Sequence, residues 1–558
     1  TPNTSSAASD VYKRQTTCYP LLTMKINKHT TALLLPLALL SGCEDETTNT
    51  ETAPTGRWVT GDMHIHSTAS DGHNLITSVL DIGYNKYGMD YLISTDHGGF
   101  KSFEISSDNM WRMARQGSFI VDWNNQQEPH NHDYAKDNFE YAKHEREYAF
   151  NSNIMLEHLN NYRQQELARD KLLLKGMEWT APYVDEHTTL FIDEGYHTSA
   201  ELNSFHNRYF KGNPNDQSEG GADKQNMLDG VAYLQQNHPT NSFFTLNHPS
   251  RKHEYRIEII REMLATGPNV FAGMEGAPGH QRNPAARGSY EMTLPIMMTD
   301  IQGNEYKAYH GTTYGGFDYM TAKVGGVWDA LLSEGHRFSI FVGSDFHSML
   351  KDFWPGEYSK THLYLTEESP QGIINAIKSG KSFATHGDLI TQLDFHVTQN
   401  SRKAEMGEVQ AIDHTQPATV NIQFTMPETN NNGDSVNVEF VDVIIGTITN
   451  QVLLPGDEMY NQPYTDLAKV IQSFESGTES WSREGNTVSL SFTVPTQENP
   501  YYLRLRGSNT PKGTDKYVDA QGNPISDLHK NQSDIATMAW KDLWFYSNPV
   551  YVNHPTQH

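Results

Sequence analysis

Cysteine is almost absent from this chain of 558 residues, which contains only Cys18 and Cys43. A disulfide framework and a thiolate zinc site both need several cysteines, so neither is available to this protein. Any bound metal must therefore be held by His, Asp and Glu side chains. Histidine, by contrast, is abundant at 26 residues, which is roughly twice its ordinary usage.

Basic charge is also scarce. The chain has 42 Lys and Arg residues against 68 Asp and Glu residues, a formal net charge of -26 at pH 7. Nucleic-acid backbones and anionic membrane surfaces would repel such a chain, so no nucleic-acid partner is expected. The sequence lacks a serine-hydrolase elbow, a phosphate loop and a dinucleotide-binding fingerprint, which removes three common kinds of enzyme.

Long apolar runs are missing, and the run Ala32–Leu40 is too short to cross a bilayer as a helix. It follows two lysines and ends in Leu40-Ser41-Gly42-Cys43, which resembles the lipobox of a bacterial export signal. This predicts a protein anchored through a lipid on Cys43 in the bacterial cell envelope, facing the periplasm or the cell surface. An ordinary cleavable signal peptide with an incidental cysteine is the alternative. The expected segments are a non-native leader (1–23), a lipoprotein signal peptide (24–42) and a solvated tether (43–56).

The length favours two folded domains. Over residues 57–390, short β-branched runs alternate with helical stretches such as Leu75–Tyr87 and Val327–Leu332, a pattern typical of an α/β fold with a parallel sheet. Residues 391–558 change to alternating strands and polar turns, which predicts an antiparallel β-sandwich-like domain. Two polar stretches, near 101–170 and 198–230, are interpreted as insertions on the site face, with solvated decoration as the alternative.

Several apolar runs of the first domain end in a His or an acid. The residues at these ends are His64 and His66, Asp96 and His97, Glu178, His248, and Asp345 and His347. In a β/α barrel the strand ends converge on one mouth, where the chemistry of such enzymes is found. The sequence therefore predicts a cluster of metal-binding side chains at this mouth.

A His-x-His pair proves little in a chain this rich in histidine, and His130 with His132, in a polar insertion, is expected to be solvated. The pair His64 and His66 differs because it ends a strand, where alternate side chains share one face and both rings can reach one ion. Glu178 adds two oxygens that can bridge two cations.

Together these motifs resemble the PHP family, named for polymerase and histidinol phosphatase. The matching motifs are HxH, SDG, DH, GxE, a following His, NHP and DxH, carried by His64, His66, Asp71, His97, Glu178, His187, His248, Asp345 and His347. The resemblance implies a distorted (β/α)7 barrel that binds three metals. It implies one metal on His64, His66, Glu178 and Asp345, a second on Glu178, His187 and His248, and a third on Asp71, His97 and His347.

The sequence also offers alternatives to His187 and further residues that could act beside the ligands. His197 and His206 also follow Glu178, but His187 is preferred because Thr188–Ile192 continues as an apolar strand. Among the other residues, Asp96 is expected either to orient a ligand His or to cap a turn. Glu275 is expected to form structural hydrogen bonds, and His253, His280 and His386 are candidate proton donors with a structural role as the alternative.

Within the PHP family the layout is most similar to the exported carbamate hydrolase-like (CehA/McbA-like) branch, in which a β-rich domain follows the barrel. Adjacent divalent cations would lower the pKa of a bridging water to near neutrality and polarise the oxygen it attacks. Imidazole with carboxylate suits Zn, Mn or Fe, in two to three copies. The resemblance gives Glu178 and Asp345 the catalytic metal-binding role. Arg251 is a candidate for holding an anionic group of the substrate, with a surface arginine as the alternative.

The favoured function is hydrolysis of a small-molecule phosphoester outside the cytoplasm. Hydrolysis of an amide, ester or carbamate on the same metals is the first alternative. The second is a non-catalytic metal- or glycan-binding lipoprotein.

Overall fold

The computed structural model describes a mixed α/β chain. The described residues are 56–67, 70, 72–97, 159–164, 170–184, 186–196, 198–209, 222–251, 255–283, 287, 295–299, 305–309, 313–349, 352–410, 412–527 and 535–553. The expected leader, signal peptide, Cys43 and nearly all of the tether lie outside them, as do most of the insertion near 101–170, part of the one near 198–230, and the pair His130 and His132. Within these ranges no helix is long and apolar enough to cross a membrane.

The strands alternate with helices up to about residue 380 and dominate beyond it. In chain order they are β1 (Arg57–Ile65), β2 (Tyr91–Ser94), β3 (Leu172–Lys175), β4 (Met177–Thr180), β5 (His187–Ile192), β6 (Ser242–Leu246), β7 (Phe271–Ala277), β8 (Pro295–Thr299), β9 (Glu305–Tyr309), β10 (Thr313–Tyr314), β11 (Phe317–Asp318), β12 (Ser339–Val342), β13 (Ser359–Leu365), β14 (Ser382–His386), β15 (Gln392–Gln399), β16 (Arg402–Glu405), β17 (Val409–Gln410), β18 (Ala418–Thr425), β19 (Phe440–Thr447), β20 (Ala468–Glu475), β21 (Ser482–Glu484), β22 (Thr487–Val494), β23 (Tyr501–Ser508), β24 (Trp544–Ser547) and β25 (Val550–Val552).

A side-chain cap precedes at least two of the helices. The described helices have 4 to 16 residues. They are α1 (Ile76–Asp81), which continues into a π-helical turn (Ile82–Lys86), α2 (Ala200–Tyr209), α3 (Ala222–Asn237), α4 (Ile257–Thr266), α5 (Tyr319–Ala322), α6 (Val327–Ser333), α7 (Pro370–Ser379) and α8 (Ile535–Ala539). In α7 the Ser369 side chain accepts a hydrogen bond from the Gly372 backbone N–H, and Gly380 ends the helix with φ 74°. The predicted helices Leu75–Tyr87 and Val327–Leu332 are confirmed within one residue at each end.

Two sheets carry the first part of the chain. In one, β1, β2 and β3 are parallel, and β1 also pairs antiparallel with β13. In the other, of order β12-β7-β6-β5-β4, the strands β6, β7 and β12 are parallel while β4 and β5 are antiparallel. The described strands are therefore mixed rather than wholly parallel, and their ladders do not close into a barrel. Isolated bridges, Ile65 to Phe346 and His97 to Glu178, join the ends of the two sheets.

The apolar run that ends at Glu178 was expected to be one strand, but it is divided at Gly176 into two. β3 belongs to the first sheet and β4 to the second, so Glu178 lies inside a strand and not after one. A Cβ atom at Gly176 would lie 2.7 Å from the Leu190 carbonyl oxygen. Only glycine allows the chain to pass this close to β5 as it changes sheets.

The second part of the chain is antiparallel in most of its pairings, as expected. β15, β16, β18, β21 and β22 form a five-stranded sheet, and β19, β20, β23 and β24 join the sheet that contains β1 through the pairing of β24 with β14. Strands from both sides of residue 390 thus share an 11-stranded sheet. Leu393, Phe424, Val441 and Leu505 lie in the buried apolar cluster that includes residues of both sheets.

Candidate metal centre

Eight of the nine candidate ligands come together at the ends of β1, β2, β5, β6 and β12 and on β4. They are His64, His66, His97, Glu178, His187, His248, Asp345 and His347, and several groups of three among them have ligand atoms within 4.8 Å of one another. The ninth candidate, Asp71, lies outside the described residues. The structure thus contains buried groups close enough to hold a metal ion, without specifying which ion.

Glu178 occupies the middle of the cluster and is only 1% exposed. Its Oε1 atom lies 3.1 Å from His64 Nε2, 3.3 Å from His248 Nε2 and 3.6 Å from His187 Nδ1. Its Oε2 atom lies 2.9 Å from His97 Nδ1 and 3.3 Å from His66 Nε2. The two oxygens therefore face two different sets of imidazoles, which is the arrangement of a carboxylate that bridges two cations.

Asp345 provides the second buried carboxylate, with φ 48° at its backbone. Its Oδ1 atom lies 3.2 Å from His64 Nε2 and 3.3 Å from His66 Nε2. The two imidazole nitrogens are themselves 3.0 Å apart. Two ring nitrogens and a carboxylate oxygen directed at one point fit a bound cation, which would offset the cost of burying these polar groups.

The electrostatics of the cluster keep its acids ionised. Burial raises the pKa of Glu178, but the rings of His97, His187 and His64 outweigh burial and hold this pKa well below its ordinary value. Burial likewise raises the pKa of Asp345, and His280 and His64 reverse the effect. Both carboxylates are therefore in the deprotonated state that metal ligation requires.

Two carboxylates outside the predicted ligand set hold the ligand rings. Glu275 Oε1 lies 2.7 Å from His64 Nδ1, and Glu275 Oε2 accepts a hydrogen bond from the His248 backbone N–H. Glu186, which is fully buried, has its Oε2 atom 2.9 Å from His248 Nδ1. Such partners fix the orientation of an imidazole whose other nitrogen faces the metal. The structural role expected for Glu275 is confirmed, whereas Glu186 was not singled out from the sequence.

Asp96 caps the turn after β1. Its carboxylate accepts hydrogen bonds from the Ser67 backbone N–H, the Ser67 hydroxyl and the Ser70 hydroxyl. The Ser70 Oγ atom lies 3.2 Å from His66 Nδ1, so Asp96 acts on that ring only through Ser70. Of the two roles left open for Asp96, turn capping is made by its own hydrogen bonds, whereas its effect on the His66 ring passes through Ser70.

Arg251 lies next to the cluster, but its charge is opposed by an acid. Its Nη2 atom is 3.2 Å from Glu186 Oε2 and 3.5 Å from His187 Nδ1. An arginine held by a carboxylate has less charge available for a substrate anion. Substrate binding by Arg251 therefore remains a prediction.

The other histidines singled out from the sequence have separate locations. His206 lies on α2, and His197 and His253 lie outside the described residues. His386 is buried on β14 and stacks against Tyr358, at a ring distance of 4.7 Å, which indicates a structural role. His280 contacts Asp345 directly.

Sequence reasoning also missed Asp62, Asn247 and Asp352. Asn247 donates a hydrogen bond to Glu178 Oε1 at 2.9 Å, and its place before His248 in the NHP motif was the only available signal. Asp62 accepts from the His64 and Ser344 backbone N–H groups and so ties β1 to the segment after β12. Burial raises the pKa of Asp62 to about 7.

The close packing behind Asp345 leads to a prediction. A Cβ atom at Gly279 would lie 2.0 Å from Asp345 Cβ and 2.4 Å from the Ser344 carbonyl oxygen. Gly279→Ala should displace Asp345 and weaken metal binding by about 10- to 100-fold, the range for changes to groups that orient ligands. Calorimetric titration of the metal-depleted chain with Zn²⁺ measures this. Gly433→Ala, in a turn with open space around it, should leave the affinity unchanged. Equal affinities in both variants would mean that Asp345 is not a ligand.

Comparison with known proteins found no match among protein-family models, curated proteins or solved structures.

Proposed function

We propose that the protein is a metal-dependent hydrolase of the PHP type, with small-molecule phosphoesters as its favoured substrates. The observation that supports this most is the position of Glu178, whose two oxygens face separate sets of imidazoles. Two to three divalent cations, drawn from Zn, Mn and Fe, would be held by the eight clustered side chains together with Asp71. Bound cations would supply an activated water near neutral pH and polarise the bond to be broken.

The fold supports the same proposal. The sheets β1-β2-β3 and β4-β5-β6-β7-β12 meet at the bridges Ile65 to Phe346 and His97 to Glu178, beside the candidate ligands. We interpret residues 57–390 as a distorted (β/α)7 barrel of the PHP type, and residues 391–558 as a sandwich-like domain that is joined to it through the pairing of β24 with β14. Attachment to the cell envelope through Cys43 remains a proposal from the sequence.

The charge of the ligand set favours an anionic substrate. Six of the eight clustered ligands are imidazoles, which are neutral when they bind a metal, and only Glu178 and Asp345 are carboxylates. With Asp71 added, these three acids alone do not neutralise two or three divalent cations, but Glu186 and Glu275 beside the ligand rings bring the formal count to five negative charges. An excess of positive charge is therefore expected when three cations are bound, and that excess suits a phosphoryl group more than a neutral amide or ester.

Residues of this chain would hold and orient the reacting groups. Glu275 and Glu186 fix His64 and His248 through their Nδ1 atoms, and Asn247 fixes Glu178 Oε1. Burial of the cluster lowers the local dielectric and strengthens the electrostatic interactions of the ligand atoms, while the side chains of His187 and His347 remain 16% and 20% exposed. The 14% exposure of the Arg251 side chain places it within reach of solvent at the His187 side.

One observation favours a second function. Arg251 is held by Glu186, and an arginine so engaged contributes less to binding a phosphate. Hydrolysis of an amide, ester or carbamate on the same metals needs no such cation and remains the alternative. A non-catalytic metal- or glycan-binding protein is the third possibility, and metal content with turnover separates it from the others.

The test uses the full chain, purified without chelator. Elemental analysis should give two to three divalent metals per chain, and an aryl phosphate or a phosphodiester should be hydrolysed. Turnover should disappear after chelation with EDTA and return when the cation is restored. Hydrolysis of a carboxyl ester alone would establish the second function, whereas metal without any turnover would favour the binding protein. Absence of metal would reject the proposal.

A further inference from the structure

His280 is the one additional imidazole that contacts a candidate ligand carboxylate in the described chain. It follows β7, has φ 57°, and donates its backbone N–H to the Ser344 carbonyl oxygen. Its Nε2 atom lies 2.9 Å from Asp345 Oδ2, and its Nδ1 atom lies 2.7 Å from Asp352 Oδ1. The ring therefore stands between two carboxylates, one of which belongs to the metal centre.

Asp352 connects this ring to the segment that carries His347. While Oδ1 of Asp352 contacts His280, Oδ2 accepts hydrogen bonds from the backbone N–H groups of His347 and Ser348 at 2.7 and 2.8 Å. Asp352 is fully buried. A single acid thus sets the position of His280 and of the chain around His347 at the same time.

The same arrangement occurs at two candidate ligands. In His64 and His248, a buried carboxylate lies at Nδ1 and leaves Nε2 directed towards the cluster. His280 follows this pattern through Asp352, but its Nε2 atom meets the Asp345 oxygen that is turned away from His64 and His66. This geometry is typical of a residue that orients a ligand.

Asp527 and Asp542, which come from late in the chain, help to stabilise the loop that contains His280. The neighbouring Gln281 accepts a hydrogen bond from Arg287, whose guanidinium also donates to the Tyr358 hydroxyl. The carboxylates of Asp527 and Asp542 both lie 3.8 Å from that guanidinium. Asp352 contacts the His280 ring, and the contacts of Gln281 stabilise the loop that carries it. The ring therefore has a fixed position beside Asp345.

We propose that His280 is a positioning residue, which donates its Nε2–H to Asp345 Oδ2 and thereby holds Asp345 Oδ1 beside His64 and His66, where a cation would bind. The terminal torsion of an aspartate is broad, so a carboxylate without a fixed partner rotates and its ligand oxygen loses its place. The inference rests on the proposed metal centre. It assigns no metal ligation to His280 itself.

The experiment compares His280→Leu with His280→Gln in the full chain after metal depletion. Both residues carry the same backbone penalty at positive φ, but the glutamine amide retains a donor near the position of Nε2. Calorimetric titration with Co²⁺, together with the visible absorption of the bound Co²⁺, reports affinity and ligand geometry. His280→Leu should weaken at least one Co²⁺ site by about 10- to 100-fold and change the spectrum. His280→Gln should restore most of the affinity and the wild-type spectrum.

The control is His362→Leu, which removes a histidine that is buried outside the metal centre, where it contacts Thr385 and Phe383. It should leave Co²⁺ affinity unchanged, and thermal unfolding of each metal-free variant shows that it is folded. Wild-type affinity in His280→Leu would overturn the inference, and so would equal weakening in the Leu and Gln variants. If the wild type itself binds no Co²⁺, the proposed function fails and the inference fails with it.

Discussion

Glu178→Gln should lose most of the bound metal and the turnover of phosphoesters. The glutamine amide has one oxygen and one NH₂ group, and the NH₂ group cannot ligate a cation. A ligand oxygen would then remain for only one of the two imidazole sets that face Oε1 and Oε2 of Glu178. Metal content should fall to about one equivalent per chain or less. Cations that Glu178 would bridge supply several kcal/mol of transition-state stabilisation, so turnover should fall by at least about 10³-fold when they are lost.

A matched control is Glu334→Gln. Glu334 is also a buried acid, but it pairs with Arg261 away from the metal centre. This variant should be less stable than the wild type while keeping its metal content and its turnover per folded molecule. Elemental analysis and phosphoester assays of the three proteins, side by side, measure the effect. Retention of two or more metals in Glu178→Gln would refute the bridging role.

Asp329→Asn should lower the free energy of unfolding by about 3–5 kcal/mol, the usual cost of breaking a buried ion pair from one side. Asp329, on α6, accepts two hydrogen bonds from the guanidinium of Arg504 on β23, at 2.8 and 2.7 Å. It also accepts from the Tyr502 hydroxyl, and both charged side chains are fully buried. The asparagine would leave the Arg504 charge without its counter-charge, and urea unfolding measures the resulting loss.

Two comparisons make this prediction specific. The exposed pair Arg57 with Glu368 should contribute little, so Glu368→Gln should cost less than about 1 kcal/mol. The double variant Asp329→Leu with Arg504→Met should recover much of the loss, because no unpaired charge remains. A loss below about 1 kcal/mol in Asp329→Asn would show that water reaches Arg504 in the folded state.

Local sequence signals predicted many of the elements, because turn and capping residues act over a few positions. The predicted helices Leu75–Tyr87 and Val327–Leu332 are present, and the predicted apolar strand Thr188–Ile192 forms most of β5. The strand that precedes Glu178 was wrong in extent, because its division at Gly176 depends on β5, which packs against it from later in the chain. The division follows from the pairing of β3 with β2 and of β4 with β5, and such pairing leaves no periodic signal in the run itself.

Composition and motif spacing limited the chemistry available to this protein. The scarcity of cysteine excluded thiolate sites, and the spacing of His64 with His66 predicted two rings that can reach one ion from the end of β1. Asp345 and His347 follow β12 instead of lying on it, and Asp345 has φ 48°. Folding brings Glu178 between two imidazole sets and puts Glu186, Glu275 and Asp352 beside histidine rings. The sequence could not show this, because a metal-binding pattern depends on neighbours along the chain, whereas the carboxylates that orient its rings come from distant segments that meet only when the chain folds.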